Sequence, residues 1–161
     1  MENRWNHSFA KTLENSLDEC VYGSRLIGSD PALVLHGGGN TSIKAPFNDI
    51  TGKSVDALFV KGSGWDLATI ERQGFAPLNL SRLQDLLALD SLSDPEMMRE
   101  LAASSFDPGA PAPSVESLLH AYIPHPAVLH SHADVVVSIT NTANGEEFIR
   151  SIFGDSVIVI P

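Results

Sequence analysis

The stretch Pro113-Ser114-Val115-Glu116, followed downstream by Ala127-Val128-Leu129-His130-Ser131-His132, carries the reading of this chain. An apolar run closing in His-Ser-His places two imidazoles on one face of an extended segment. Their Cα atoms then lie roughly 6–7 Å apart, a span over which two ring nitrogens reach one metal ion. On the residues alone, the pair is equally two strand-end histidines, one half-buried and one solvated. Ser114 has the chemistry of a helix N-cap, so a helix is expected from there to about Tyr122, with Glu116 in its first turn. In that place a glutamate is either a favourable charge at the helix start or a general acid/base beside a metal. His120, one turn on and on the same face, either orients the carboxylate or packs. A catalytic zinc-type site needs a third protein ligand, for which His36, His120 and His125 are the candidates in the chain.

Working outward, apolar residues recur with helical spacing from Ser8 to Ile27, and Gly28-Ser29-Asp30-Pro31 supplies the stop. Leu33-Val34-Leu35-His36 reads as a short strand with Thr41-Ser42-Ile43-Lys44 as hairpin partner across Gly37-Gly38-Gly39-Asn40. Val55 to Lys61 is a further strand running into Gly62-Ser63-Gly64. Ser81-Arg82-Leu83-Gln84 has capping-box spacing and opens a helix through Leu89; Asp94-Pro95-Glu96 opens another. The segment from Ser105 to Pro113, with Pro108, Gly109, Pro111 and Pro113, is a loop. Ala127-Val128-Leu129 is expected as a buried strand. Val135-Val136-Val137 fits a strand by propensity and a helix by the polar face of Asp134, Ser138 and Asn141. Gly145-Glu146-Glu147 starts a helix, and Val157 to Ile160 reads as a strand. The chain ends at Pro161 directly after that strand, which is the ending expected of a domain cut through, incomplete at its C-terminal side.

The bulk numbers narrow the classes. With 161 residues the chain fits one domain, 1–161, able to bury a sizeable core. Hydrophobic content of 43% and charged content of 19% describe an ordinary globular protein. A net charge of −10 argues against nucleic-acid binding, since no basic stripe is present to neutralise phosphates. The lone Cys20 cannot form an intramolecular disulfide, which fits a reducing, cytoplasmic setting. No membrane association is expected, because no apolar run reaches spanning length.

Two glycine-rich turns remain. Gly37-Gly38-Gly39-Asn40-Thr41-Ser42 can present backbone N–H groups and the Asn40 side chain to an anion, or be only a hairpin turn. It matches neither the dinucleotide fingerprint nor a Walker loop. Lys61-Gly62-Ser63-Gly64 is a second turn of the same kind at a strand end; together with a Ser114 cap the two suggest a nest for a small phosphate.

Gly39-Asn40-Thr41-Ser42, Lys61-Gly62-Ser63-Gly64, Ser114-Val115-Glu116 and His130-Ser131-His132, in that order, give the chain its resemblance to the class II aldolase/adducin family. The wording around them, Leu35-His36-Gly37-Gly38-Gly39 and Gly62-Ser63-Gly64-Trp65-Asp66-Leu67, is most similar to the aldolase half of bifunctional rhamnulose-1-phosphate aldolase/alcohol dehydrogenase proteins. The resemblance implies an α/β fold, a three-layer α/β/α sandwich around a mixed, mostly antiparallel sheet. It implies assembly as a homotetramer with sites between subunits, and a short-chain dehydrogenase domain following in a longer parent protein. It implies that His130 and His132 ligate zinc or another divalent metal, that Glu116 is the catalytic acid/base, and that Asn40, Ser63, Gly64 and Ser114 hold a substrate phosphate. The family's third metal histidine would fall in a later motif.

The activity so implied is metal-dependent retro-aldol cleavage of a ketose 1-phosphate such as rhamnulose 1-phosphate into glycerone phosphate and an aldehyde. Relatives with the same constellation epimerise or dehydrate sugar phosphates, and adducin-like members use the fold as an assembly module. Glu116, His130 and His132 together speak against that last reading, because a scaffold has no physical need for the trio.

Overall fold

The computed structural model describes residues 2–160. Its framework is a four-stranded sheet in the order β3-β2-β1-β4. The strands are β1 (Asn40–Asn48), β2 (Ser54–Lys61), β3 (Phe75–Asn79) and β4 (Ala127–His130). All three ladders are antiparallel. β1 and β2 form a hairpin closed by Asp49, whose Oδ1 accepts from the Thr51 and Lys53 backbone N–H groups at 2.8 and 3.0 Å. β3 continues the meander on one side, and β4 returns from late in the chain to pair with the start of β1.

Side-chain alternation along the strands builds a core on each face of the sheet. Leu58 and Val60 of β2 and Ala76 and Leu78 of β3 point to one side, where they pack with Leu83, Leu101 and Ala121. These belong to α3 (Leu80–Asp85), α4 (Asp94–Ala103) and α5 (Ser117–Tyr122). The other face holds Ile43, Phe75, Leu67 and Ile70 against Cys20 of α2 (Ser16–Gly28). The result is three layers, helix on sheet on helix. Leu58, Leu78, Leu83 and Leu101 are all fully buried, each stabilising the fold by about 1.5–3 kcal/mol relative to exposure.

Several elements depart from expectation for identifiable reasons. The first helical stretch is two helices, α1 (His7–Ala10) and α2, because the Asn15 side chain accepts from Leu17 and Asp18 N–H and starts a new helix there. Leu33 to His36 is not a strand. Asp30 curls that segment by accepting from the Leu33 and Val34 N–H groups at 2.9 and 3.1 Å, and His36 adopts a φ of 52°. Thr41–Lys44 therefore pairs with β2 and β4 rather than with a preceding strand. β1 also runs through Pro46; the β4 ladder ends at Ile43, so the missing proline N–H breaks no bond on that side. β3 forms although Phe-Ala-Pro-Leu-Asn carries a proline and no alternation, so its residue pattern does not mark it as a strand.

The cap of α3 is Asn79, accepting from Arg82 N–H at 3.0 Å, not Ser81. That helix stops at Asp85 and tightens into a 3₁₀ turn over Leu86–Ala88. α4 carries a capping box between Ser93 and Glu96. β4 lies at the sheet edge, so Ala127 and Leu129 are exposed rather than buried. The valine run is helical, as α6 (Asp134–Thr140), and is followed by α7 (Gly145–Phe153). Val157 to Ile160 pairs with no strand among the described residues, and Ile158 and Ile160 are exposed. Among the described residues no helix is long and apolar enough to cross a membrane.

Candidate functional site

The site forms where the start of β1, the end of β4 and the start of α5 meet. Asn40 and His130 are Cα partners in the β1–β4 register. Glu116 immediately precedes α5, where its carbonyl accepts from the His120 N–H at 3.1 Å. The turn before it is organised by Ser114. The Ser114 carbonyl accepts from the Ser117 N–H at 3.0 Å, and its Oγ accepts from the Glu116 N–H at 3.3 Å. Ser114 is therefore not the expected N-cap: it organises the turn before the helix, Glu116 takes the cap position, and the helix begins at Ser117, so Glu116 lies just outside its first turn.

These elements bring the carboxylate and the imidazoles together. Glu116 Oε1 lies 3.0 Å from His130 Nδ1 and 4.0 Å from His132 Nε2. The two histidine rings stand 4.6 Å apart between centroids, at 61°, so both face the same space although the ladder ends at His130. The compact donor group is Glu116, His120 and His130, whose donor atoms all lie within 4.8 Å of one another; His132, expected as a ligand, stands outside that group and reaches only the Glu116 carboxylate. His120 is fully buried, with Nδ1 2.8 Å from Ser42 Oγ and Nε2 without a partner. Asn40 Oδ1 is likewise buried without a partner, and His130 Nδ1, for all its 3.0 Å approach to Glu116 Oε1, makes no hydrogen bond of good geometry. Orphaned polar atoms of this kind are costly unless something completes them, and a borderline-soft divalent cation suits imidazole and carboxylate donors. The residues present fit a metal. His36 and His125 do not join the cluster; both are exposed.

Electrostatics follow from this packing. Burial raises the Glu116 proton affinity, but Asn40 as hydrogen-bond donor and the nearby His130 and His120 outweigh it, holding the carboxyl below its ordinary range. Burial drives the His120 pKa down to about 4, against the pull of Glu116 and reinforced by His130 and Lys44. His120 packs, then: it is buried against Ser42, with a ring nitrogen within 4.8 Å of the carboxylate and no described hydrogen bond to it.

The glycine-rich turn after β2 is tied to the same place. Gly62 bridges Pro113, its N–H is accepted by the Gly74 carbonyl at 2.8 Å, and the Ser63 N–H reaches the Ala112 carbonyl at 2.9 Å. The approach is close enough that a Cβ on Gly62 would meet Pro111 Cβ at 2.5 Å. Ser63 and Gly64 are thereby held beside the residues leading into Ser114, with both of them exposed. Asn40 follows Gly39, which takes a φ of 71° and whose Cβ would press on Val34 and on the His130 carbonyl. Lys61, the last residue of β2, opens the second glycine-rich turn, although the residue pattern gives its side chain no role of its own. It is 5% exposed, and burial lowers its pKa while Glu116 and Asp66 act to raise it. A lysine closing an apolar strand directly before a Gly-Ser-Gly turn is the signal that marks it.

Residues 18–161 match the family described as Class II Aldolase and Adducin N-terminal domain. The chain is 38% identical over 157 residues to a Bacillus subtilis (strain 168) protein described as "Uncharacterized oxidoreductase YuxG"; the match spans 98% of this chain and 23% of that protein. The chain therefore covers under a quarter of the length of this relative. A solved structure, the N-terminal class II aldolase domain of a conserved protein from Thermoplasma acidophilum, superposes with a TM-score of 0.85 at 44% identity, over 96% of this chain and 70% of that one. By family match, sequence identity and superposition alike, the chain belongs to the class II aldolase/adducin family.

Proposed function

We propose that the chain is the aldolase-type domain of a larger enzyme and that its site cleaves a ketose 1-phosphate, with rhamnulose 1-phosphate the first sugar to test. The observation that carries this reading is the approach of Glu116 Oε1 to both His130 and His132, at 3.0 and 4.0 Å. A carboxylate and two same-facing imidazoles at such distances serve a metal-assisted proton transfer. His130 and His132 would hold the divalent metal, zinc in the first instance, with Glu116 and His120 the further donors within reach. When bound, that metal would supply Lewis-acid charge that polarises the ketose carbonyl and offsets the negative charge developing there.

The chain's own residues do the rest. Asn40, Ser63, Gly64 and Ser114 seat the phosphate, so that the scissile bond lies beside Glu116. With its proton affinity depressed, Glu116 is ionised at neutral pH and can accept the proton of the hydroxyl on the leaving aldehyde carbon as the carbon–carbon bond breaks. It then returns a proton to the carbon of the three-carbon fragment, giving glycerone phosphate and an aldehyde. We place the domain in a cytoplasmic homotetramer, with a dehydrogenase segment in the same parent polypeptide; for the dehydrogenase segment alone, support comes from the word oxidoreductase in the relative's description and from the relative's greater length.

The test is product analysis of zinc-loaded protein with rhamnulose 1-phosphate. Two fragments, one of them glycerone phosphate, support the aldolase. An isomer of unchanged mass, or a product lighter by one water, replaces it with epimerisation or dehydration at the same residues.

A further inference from the structure

We propose that Ser42 and His120 form a positioning pair: the Ser42 hydroxyl fixes the His120 ring in the tautomer with its proton on Nε2, and that N–H holds the Glu116 carboxylate as a charged acceptor. The inference rests on the aldolase reading above only for the reaction that Glu116 performs.

The argument begins with a hydroxyl that has one place to put its proton. Ser42 is fully buried on β1, and its Oγ lies 2.8 Å from His120 Nδ1, the one hydrogen bond described for that side chain. If Nδ1 carried the ring proton and Ser42 accepted it, the serine's own proton would be buried without an acceptor, a costly state. With Ser42 as the donor, both atoms are satisfied. His120 is also fully buried, which favours a neutral ring with one N–H and one lone pair. Its lone pair is then on Nδ1 and its proton on Nε2.

The surroundings of Nε2 point the same way. It is buried without a hydrogen-bond partner, while a ring nitrogen of His120 lies within 4.8 Å of a Glu116 carboxylate oxygen and of a His130 ring nitrogen. With Nδ1 engaged by Ser42, Nε2 is the nitrogen left for that space. A lone pair there would be repelled by the carboxylate oxygens, whereas an N–H stabilises them. Such contacts are often long before substrate binds and tighten in the complex. The backbone holds the partners in place. Glu116 and His120 lie one helical turn apart, the Glu116 carbonyl accepting the His120 N–H at 3.1 Å, and Ser42 alternates with Asn40 onto one face of β1. The three grouped donors therefore divide. His130 keeps a ring nitrogen for the metal, and His120, within reach of the same ion, serves Glu116 as a hydrogen-bond donor instead.

The experiment reads the ring directly, by long-range proton–nitrogen NMR correlations of the nitrogen-15-labelled chain with the His120 ring assigned through the backbone. Expected is a proton on Nε2, a resonance for it that moves in Glu116→Gln, and retention of that proton when zinc is added. A proton on Nδ1, an Nε2 resonance indifferent to Glu116→Gln, or zinc that displaces the Nε2 proton would each overturn the proposal. Kinetics of the zinc-loaded protein give the second readout. His120→Met should lower kcat on the order of tenfold at unchanged KM and zinc content, and His120→Gln, which restores an N–H donor, should recover part of it. Wild-type kcat in a folded His120→Met, or zinc lost together with turnover, would also overturn the pair; should that variant not fold, the wild-type spectra decide. An Nε2-protonated His120 coupled to Glu116 in a protein that cleaves no ketose 1-phosphate would remove the aldolase reading alone. Cleavage by a protein whose His120 is protonated on Nδ1 would remove the pair and leave the aldolase.

Discussion

Asn40 and His130 face each other as Cα partners across the β1–β4 ladder, and the Glu116 carboxylate comes in beside them, its Oε1 3.0 Å from His130 Nδ1. One strand pairing therefore brings together a glycine-rich turn, the histidines of a strand end and a carboxylate at a helix start. The ladder spans only Asn40–Ile43 against Ala127–His130, so the site's integrity depends on a short edge pairing.

Glu116→Gln keeps the shape of the side chain and removes its charge. Turnover should fall by about 10²–10⁴-fold, the usual contribution of a positioned acid/base, while metal content and thermal midpoint change little. Steady-state kinetics beside metal analysis reads both. Retained turnover would remove Glu116 from the proton transfer.

His120 makes stability depend on pH. Its folded pKa of about 4 lies below the unfolded value near 6.5, so the unfolded chain binds the extra proton between those limits. Stability of the metal-free chain should therefore rise as pH goes from about 4 to 6.5, by on the order of 3 kcal/mol from this group. Glu116, depressed in the fold, adds a loss below the ordinary carboxylate range. Denaturant titrations across this window should show the rise in wild type and a shallower one in His120→Gln; equal slopes would contradict the assignment.

Gly62 is where the second glycine turn touches the approach to Ser114. Gly62→Ala puts a Cβ 2.5 Å from Pro111 Cβ, a clash only backbone movement relieves. Overpacking of this kind costs about 1–3 kcal/mol. The thermal midpoint should drop measurably, and phosphate affinity should weaken with it as Ser63 and Gly64 move off Ser114. An unchanged midpoint would mean the loop slides freely.

Much of this architecture was legible in the residues. β2, α4, α7 and the loop before Ser114 carry their own punctuation: glycine turns, proline at a helix start, a capping glutamate. The elements that were misread are those decided by which backbone group takes their N–H and C=O groups, near or far in sequence. Leu33–His36 looks like a strand until the Asp30 carbonyl takes its N–H groups, and Val157–Ile160 has strand residues but no ladder to join. β3 hides behind a proline. In the site, Glu116, His130 and His132 stood out by residue type and spacing. The burial of His120 on Ser42 and the burial of Lys61 depend on which face of the sheet each occupies, and spacing along the chain does not report that.

Metal content tests the central claim most directly. The chain should be purified, loaded with zinc, dialysed and analysed beside a His130→Ala/His132→Ala double variant of equal folded content. The account predicts stoichiometric zinc in the wild type and its loss in the variant. A wild type that retains no zinc, or a variant that retains as much, would contradict it.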